Sequence, residues 1–157
     1  FSVDGIDEIN HFLRYPADWQ KIINNINENE KYGTNIESFI LTTLTGVSAF
    51  YLDKLYNFVS DQQWKKLPIK NIILGRVHHP LYLNPQVLDD SRKAIVTKKF
   101  EQTILDHPEV EKTLRENLNW INTENTLASM NDMRSYVTSL MSIRNIDESV
   151  LKEFLDD

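Results

Sequence analysis

Ile36-Glu37-Ser38-Phe39-Ile40-Leu41-Thr42-Thr43-Leu44-Thr45-Gly46-Val47 decides how the chain is read. From Ile36 to Leu44 it is rich in Ile, Phe, Leu and Thr and carries no helical stripe, which reads as a strand. Thr45-Gly46 follows as a turn that caps a helix. That helix buries Val47, Phe50, Tyr51, Leu55, Phe58 and Val59. Asp61 to Pro68 reads as a loop. Ile69 to Val77 reads as a further strand, apolar enough to be covered on both faces, with Gly75 marking a close approach or a bulge.

Upstream the same alternation appears. Phe1 to Asp4 reads as the end of a strand, broken by Gly5. Ile9, Phe12 and Leu13 lie at helical spacing, and Pro16 ends that turn or starts the next helix. Trp19, Ile22, Ile23 and Ile26 give an i, i+3, i+4, i+7 stripe. The polar run Asn27 to Asn35 reads as a connection. Beyond a proline-containing segment from Leu81 to Asp90, helices are expected near 90–106, 109–121, 126–143 and 147–156. Ala94, Ile95, Phe100 and Ile104 would line the first, Val110, Leu114, Leu118 and Ile121 the second. Leu127, Met130, Met133, Val137, Leu140 and Met141 would line the third, as core.

The expectation is therefore α/β: three parallel strands joined by right-handed crossover helices over residues 1–90, then a helical extension over 91–157. Three parallel strands leave open edges, a liability unless covered. Because the first strand begins at Phe1, the sheet is expected to continue in sequence upstream or in another chain.

Composition narrows the function. The chain has 157 residues, 41% hydrophobic and 25% charged, which suits one folded domain. No stretch is apolar for the length of a membrane span, and Phe1-Ser2-Val3-Asp4 does not open a signal peptide. Net charge is −6, and Lys65-Lys66 and Lys98-Lys99 are the only adjacent lysines, which argues against nucleic-acid binding. The absence of cysteine rules out disulfides and thiolate-ligated metals within the chain and fits a cytoplasmic protein. Four glycines leave no phosphate-binding loop.

Ligands of parallel α/β sheets bind at the carboxyl ends of the strands. That rule selects Ser2, Asp4, Thr43, Thr45, Arg76, His78 and His79, with Arg14 within reach of the same rim. Each also has a plain reading. Ser2-Val3-Asp4 serves equally as a helix cap, Thr42 to Thr45 as strand and turn threonines, and Arg14 as a surface arginine. His78 and His79 are adjacent on a strand and would point to opposite faces, so they are poor partners for one metal ion. No nucleophile elbow or paired catalytic carboxylate is identifiable.

Together these segments carry a resemblance. Ser2-Val3-Asp4-Gly5 is followed by Ile9-Asn10-His11-Phe12-Leu13-Arg14-Tyr15-Pro16 and Trp19. Then come the Thr42-Thr43-Leu44 strand end, Arg76-Val77-His78-His79-Pro80-Leu81-Tyr82-Leu83-Asn84-Pro85-Gln86-Val87-Leu88, and Leu140-Met141-Ser142-Ile143-Arg144. In order and spacing, over residues 1 to 150, this resembles the later half of radical S-adenosylmethionine (radical SAM) proteins with a twitch-type extension.

The resemblance implies half of a partial TIM-like barrel, with this chain supplying the last three strands. It implies S-adenosylmethionine and a 4Fe-4S cluster for the full-length parent, neither expected on this chain alone, because the CxxxCxxC cluster loop is not in it. The auxiliary-cluster cysteines of some members are missing too. It implies that Ser2 and Asp4 hold the cofactor, that Arg14 holds a carboxylate, and that Thr43, Arg76 and His78 face cofactor or substrate. A guanidinium suits the carboxylate role because its forked donors grip two oxygens. Tyr15-Pro16 departs from the small residues commoner after that arginine. The implied substrate is an unknown small molecule or peptide, and the implied partner is the missing N-terminal half or another chain at the open edge. The rival readings are a small α/β interaction module and a cofactorless enzyme using His78 or His79 as base.

Overall fold

The structure is a computed structural model; it describes residues 1–32, 35–123 and 127–156. Two strands, β1 (Ile40–Leu44) and β2 (Ile72–Arg76), form a parallel sheet in unbroken register from Ile40 opposite Ile72 to Leu44 opposite Arg76. Phe1 to Asp4 is not the third strand that the sequence predicts. It meets the sheet through one parallel bridge, Ser2 opposite Leu41, closed by Val3 N–H to Leu41 O at 3.0 Å and Leu41 N–H to Phe1 O at 2.8 Å. Pairing stops there because the next rung is diverted to side chains: Thr43 N–H donates to Asp4 Oδ1 at 2.6 Å, and Val3 O accepts the Thr42 hydroxyl at 2.6 Å. The described residues thus form a two-stranded sheet extended by one bridge, in the order bridge, β1, β2.

Both strands are shorter than the sequence predicts. Ile69–Asn71 forms a 3-10 turn leading into β2, and Asn71 Nδ2 donates to Ser38 O, holding the run before β1 out of the ladder. Gly75 is neither a bulge nor a close approach: it pairs in register with Thr43, and a Cβ would lie 3.8 Å from Thr42 O.

Helices α1 (Asp7–Leu13) and α2 (Trp19–Tyr32) follow the bridge. The polar run after Ile26 is not a loop but the end of α2. Its side chains clamp the turn before β2: Glu30 accepts from Lys65 N–H and Lys66 N–H at 2.9 and 3.0 Å, and Asn27 accepts from Trp64 Nε1. The remainder of that expected connection includes residues 33–34, outside the described residues. After β1, Thr45 caps α3 (Gly46–Phe50) in a capping box with Ser48. Tyr51 breaks the single expected helix, and α4 (Leu52–Gln62) continues it.

The C-terminal half is helical as expected: α5 (Asp90–Asp106), α6 (Glu111–Ile121), α7 (Met130–Arg144) and the short α8 (Lys152–Leu155). Ala94 and Ile95 do not line α5; both are exposed, and Arg92, Val96, Phe100, Thr103 and Ile104 are buried instead. Leu127 precedes α7 and is 77% exposed, while Thr126 lies outside the described residues. No helix among the described residues is long and apolar enough to cross a membrane.

One face of the sheet is buried at Ile40, Thr42, Leu44 and Ile72, with Leu74 half-buried and Arg76 exposed at its end. The other is not covered along its length, contrary to the expectation for β2. Phe39, Leu41 and Ile73 are 40%, 50% and 46% exposed. At the carboxyl ends of the strands α7 reaches over this face, beside Thr43 and Val77.

Candidate functional site

Where α7 crosses the strand ends it closes a cavity of about 470 Å³. Asp4, Thr43 and Val77 form its floor, and Leu13, Arg14 and Tyr15 at the end of α1 form one side. Met133, Tyr136, Val137, Leu140 and Arg144 of α7 form the roof. The location is the one the strand-end rule predicts.

Asp4 organises the floor. It is buried, and its Oδ1 accepts Thr43 N–H at 2.6 Å across the sheet. Arg14 Nη2 donates to the same Oδ1 at 3.1 Å and lies 3.5 Å from Thr43 Oγ1. Arg14 Nε stands 2.9 Å from Oδ2, an ion-pair contact rather than an aligned hydrogen bond. Burial pushes the Asp4 carboxyl above its ordinary value, and the Thr43 amide and the Arg14 guanidinium oppose that rise. The result is a fixed Asp–Arg–Thr constellation at the sheet's carboxyl edge.

Arg144 supplies a second guanidinium. It is the last residue of α7, which ends because Asn145 turns left-handed at φ 52°. Its Nη1 donates to Phe12 O, and its guanidinium carbon lies 5.8 Å and 5.4 Å from the ring centroids of Phe12 and Tyr15. Thr45 also reaches the cavity, but its hydroxyl is occupied as the cap of α3. Gly46 matters beside it: a Cβ there would sit 2.4 Å from Met133 Sδ, so glycine lets the roof come down onto α3.

Asp4, Arg14 and Thr43 thus converge as the sequence suggests, with Thr45 at their side. Ser2, Arg76, His78 and His79 do not line this cavity. Ser2 is exposed at the bridge. Arg76 turns away to α6, donating from Nε to Asn117 Oδ1 at 3.1 Å and from Nη2 to Glu116 O at 3.0 Å. Trp120 takes the Arg76 guanidinium on its ring and His78 edge-on at 6.2 Å. His79 is exposed. Sequence reasoning assigned no role to Tyr136 or Arg144. The signal was present: Met133, Tyr136, Val137, Leu140 and Arg144 recur at three- and four-residue steps, one face of a helix.

No family model, no curated protein and no solved structure matches this chain.

Proposed function

We propose that the chain is the C-terminal part of a radical SAM enzyme domain, which positions cofactor and substrate and is not catalytic alone. The observation that carries this reading is the convergence of Asp4, Arg14 and Thr43 on a cavity at the carboxyl ends of parallel strands. The open face formed by Phe39, Leu41 and Ile73 agrees with it, since the inner face of half a barrel would lie against the other half.

The donor set decides how much of the cofactor chemistry belongs here. The chain has no cysteine, so an iron–sulfur cluster does not fit its residues, and any cluster is held by other sequence. A polar small molecule does fit the cavity. The bound nucleoside cofactor would supply the radical chemistry; the protein's share is orientation and exclusion of water. Asp4, held rigid by the Thr43 amide and Arg14, presents a fixed negative group, and Thr43 Oγ1 offers a hydroxyl beside it.

S-adenosylhomocysteine, titrated into the chain and followed by amide NMR, tests the reading. Saturable shifts at Asp4, Thr43 and Tyr136, lost in Asp4→Ala, are expected. Shifts confined to other surfaces, or none at millimolar ligand, would count against it.

A further inference from the structure

The two arginines of the cavity differ in one respect. Arg14 spends its Nε–Nη2 edge on Asp4. Arg144 spends only Nη1, on Phe12 O, and makes no ion pair among the described residues. Its own Nε–Nη2 edge is therefore without a protein partner. That edge is the fork that holds a carboxylate through two parallel bonds. Glu8 and Asp147 border a neighbouring depression with Arg144, yet neither pairs with it.

The fork is also preorganised. The Arg144 guanidinium is pinned by a main-chain acceptor, laid against Tyr15 and Phe12, and fixed at a helix end where a cation is favoured. Beyond it the cavity wall is apolar: Val47, Val77, Met133, Val137 and Leu140. Asp4, the acidic residue in the lining, is already neutralised by Arg14 and does not repel an incoming anion.

We infer that the cavity takes a ligand with a carboxylate on an apolar body, and that Arg144 is the residue that recognises the carboxylate. The inference rests on the cavity being the ligand site of the reading above, but not on the identity of any cofactor. Failure with S-adenosylhomocysteine leaves it standing, and its own failure leaves the cofactor reading standing.

Hexanoate and its neutral isostere hexanamide are the probes, titrated into the full 157-residue chain and into Arg144→Gln and Arg144→Lys. Amide shifts at Val47, Met133 and Tyr136 locate the site, and the Arg144 Nε–H resonance reports the fork. Hexanoate should move that resonance and bind about tenfold tighter than hexanamide, as a charge-assisted pair implies. Arg144→Gln should erase the preference, and Arg144→Lys should keep part of it. Thermal unfolding of each variant confirms that it is folded; should Arg144→Gln not fold, the acid–amide comparison in the unmutated chain still decides. Equal binding of acid and amide would overturn the inference. So would a preference that survives Arg144→Gln, shifts that bypass Arg144, or no saturable shift with hexanoate.

Discussion

Arg14 grips both oxygens of Asp4, with Nη2 at 3.1 Å from Oδ1 and Nε at 2.9 Å from Oδ2, and Thr43 N–H closes on the same carboxylate from β1. The N-terminal segment and the end of α1 are thereby locked to the end of β1, some forty residues along the chain. Arg14→Gln leaves the buried carboxylate of Asp4 without its counter-charge, and we expect a loss of about 1.5–3 kcal/mol. Urea midpoints of Arg14→Gln, Asp4→Asn and the double variant measure the coupling; additive losses would mean that the pair contributes nothing.

Asp4 also gives stability a distinctive pH dependence. Its folded pKa is raised, so the folded state holds the proton more tightly than the unfolded chain. Its contribution is complete below the unfolded value of 3.8 and is lost as pH rises through the folded pKa. Asp132 and Asp147 act in the opposite sense, lowered by the Ser129 and Ser149 hydroxyls and amides; their contributions hold above 3.8 and fade as pH falls through the folded pKa. Urea unfolding between about pH 3.5 and about pH 6 should show the unmutated chain losing ground to Asp4→Asn as pH rises. A constant difference would contradict the assignment.

Much of this was legible in the sequence, and the failures have identifiable causes. The alternation of strand and helix, the Thr45 cap, and Asp4, Arg14 and Thr43 as neighbours follow from local pattern and the strand-end rule. Phe1 to Asp4 reads as a strand because nothing local shows that the Asp4 carboxylate captures Thr43 N–H and the Thr42 hydroxyl captures Val3 O, which end the pairing after one bridge. The polar end of α2 read as a loop because its partners, Trp64 and the Lys65–Lys66 amides, lie far along the chain. Arg76 ends β2, but Asn117 and Trp120 draw it and His78 toward α6, away from the cavity, and both partners lie about forty residues further along the chain.

Arg92 is 3% exposed and ties the start of α5 to the chain end, donating from Nε to Phe154 O at 2.8 Å and from Nη2 to Asp156 O at 2.6 Å. Lysine cannot reproduce the two directions. Arg92→Lys should cost roughly 2 kcal/mol and loosen α8 first, seen as faster hydrogen exchange at Phe154. Unchanged exchange there would show that the packing of Phe154 suffices.

The two faces of β1 should respond differently. Ile40 is 1% exposed, so Ile40→Ala should cost about 2–5 kcal/mol. Leu41 is 50% exposed, so Leu41→Lys should change stability by about 0.5 kcal/mol or less. The same Leu41→Lys should reduce concentration-dependent association of the isolated chain, measured by light scattering. A strictly monomeric parent would refute an open, adhesive face.

Anaerobic reconstitution of the isolated chain should leave no stoichiometric iron, because no thiolate is available to hold a cluster. Iron analysis and a cluster absorption band report the outcome, and a bound cluster would overturn the division of labour drawn here.

The coding sequence immediately upstream of Phe1 bears on all of this at once. Membership in a radical SAM enzyme predicts an open frame continuing upstream into further strand–helix units and a CxxxCxxC loop after the first strand. A stop codon directly before Phe1, or an unrelated domain in its place, would contradict the proposal and favour a self-sufficient binding module.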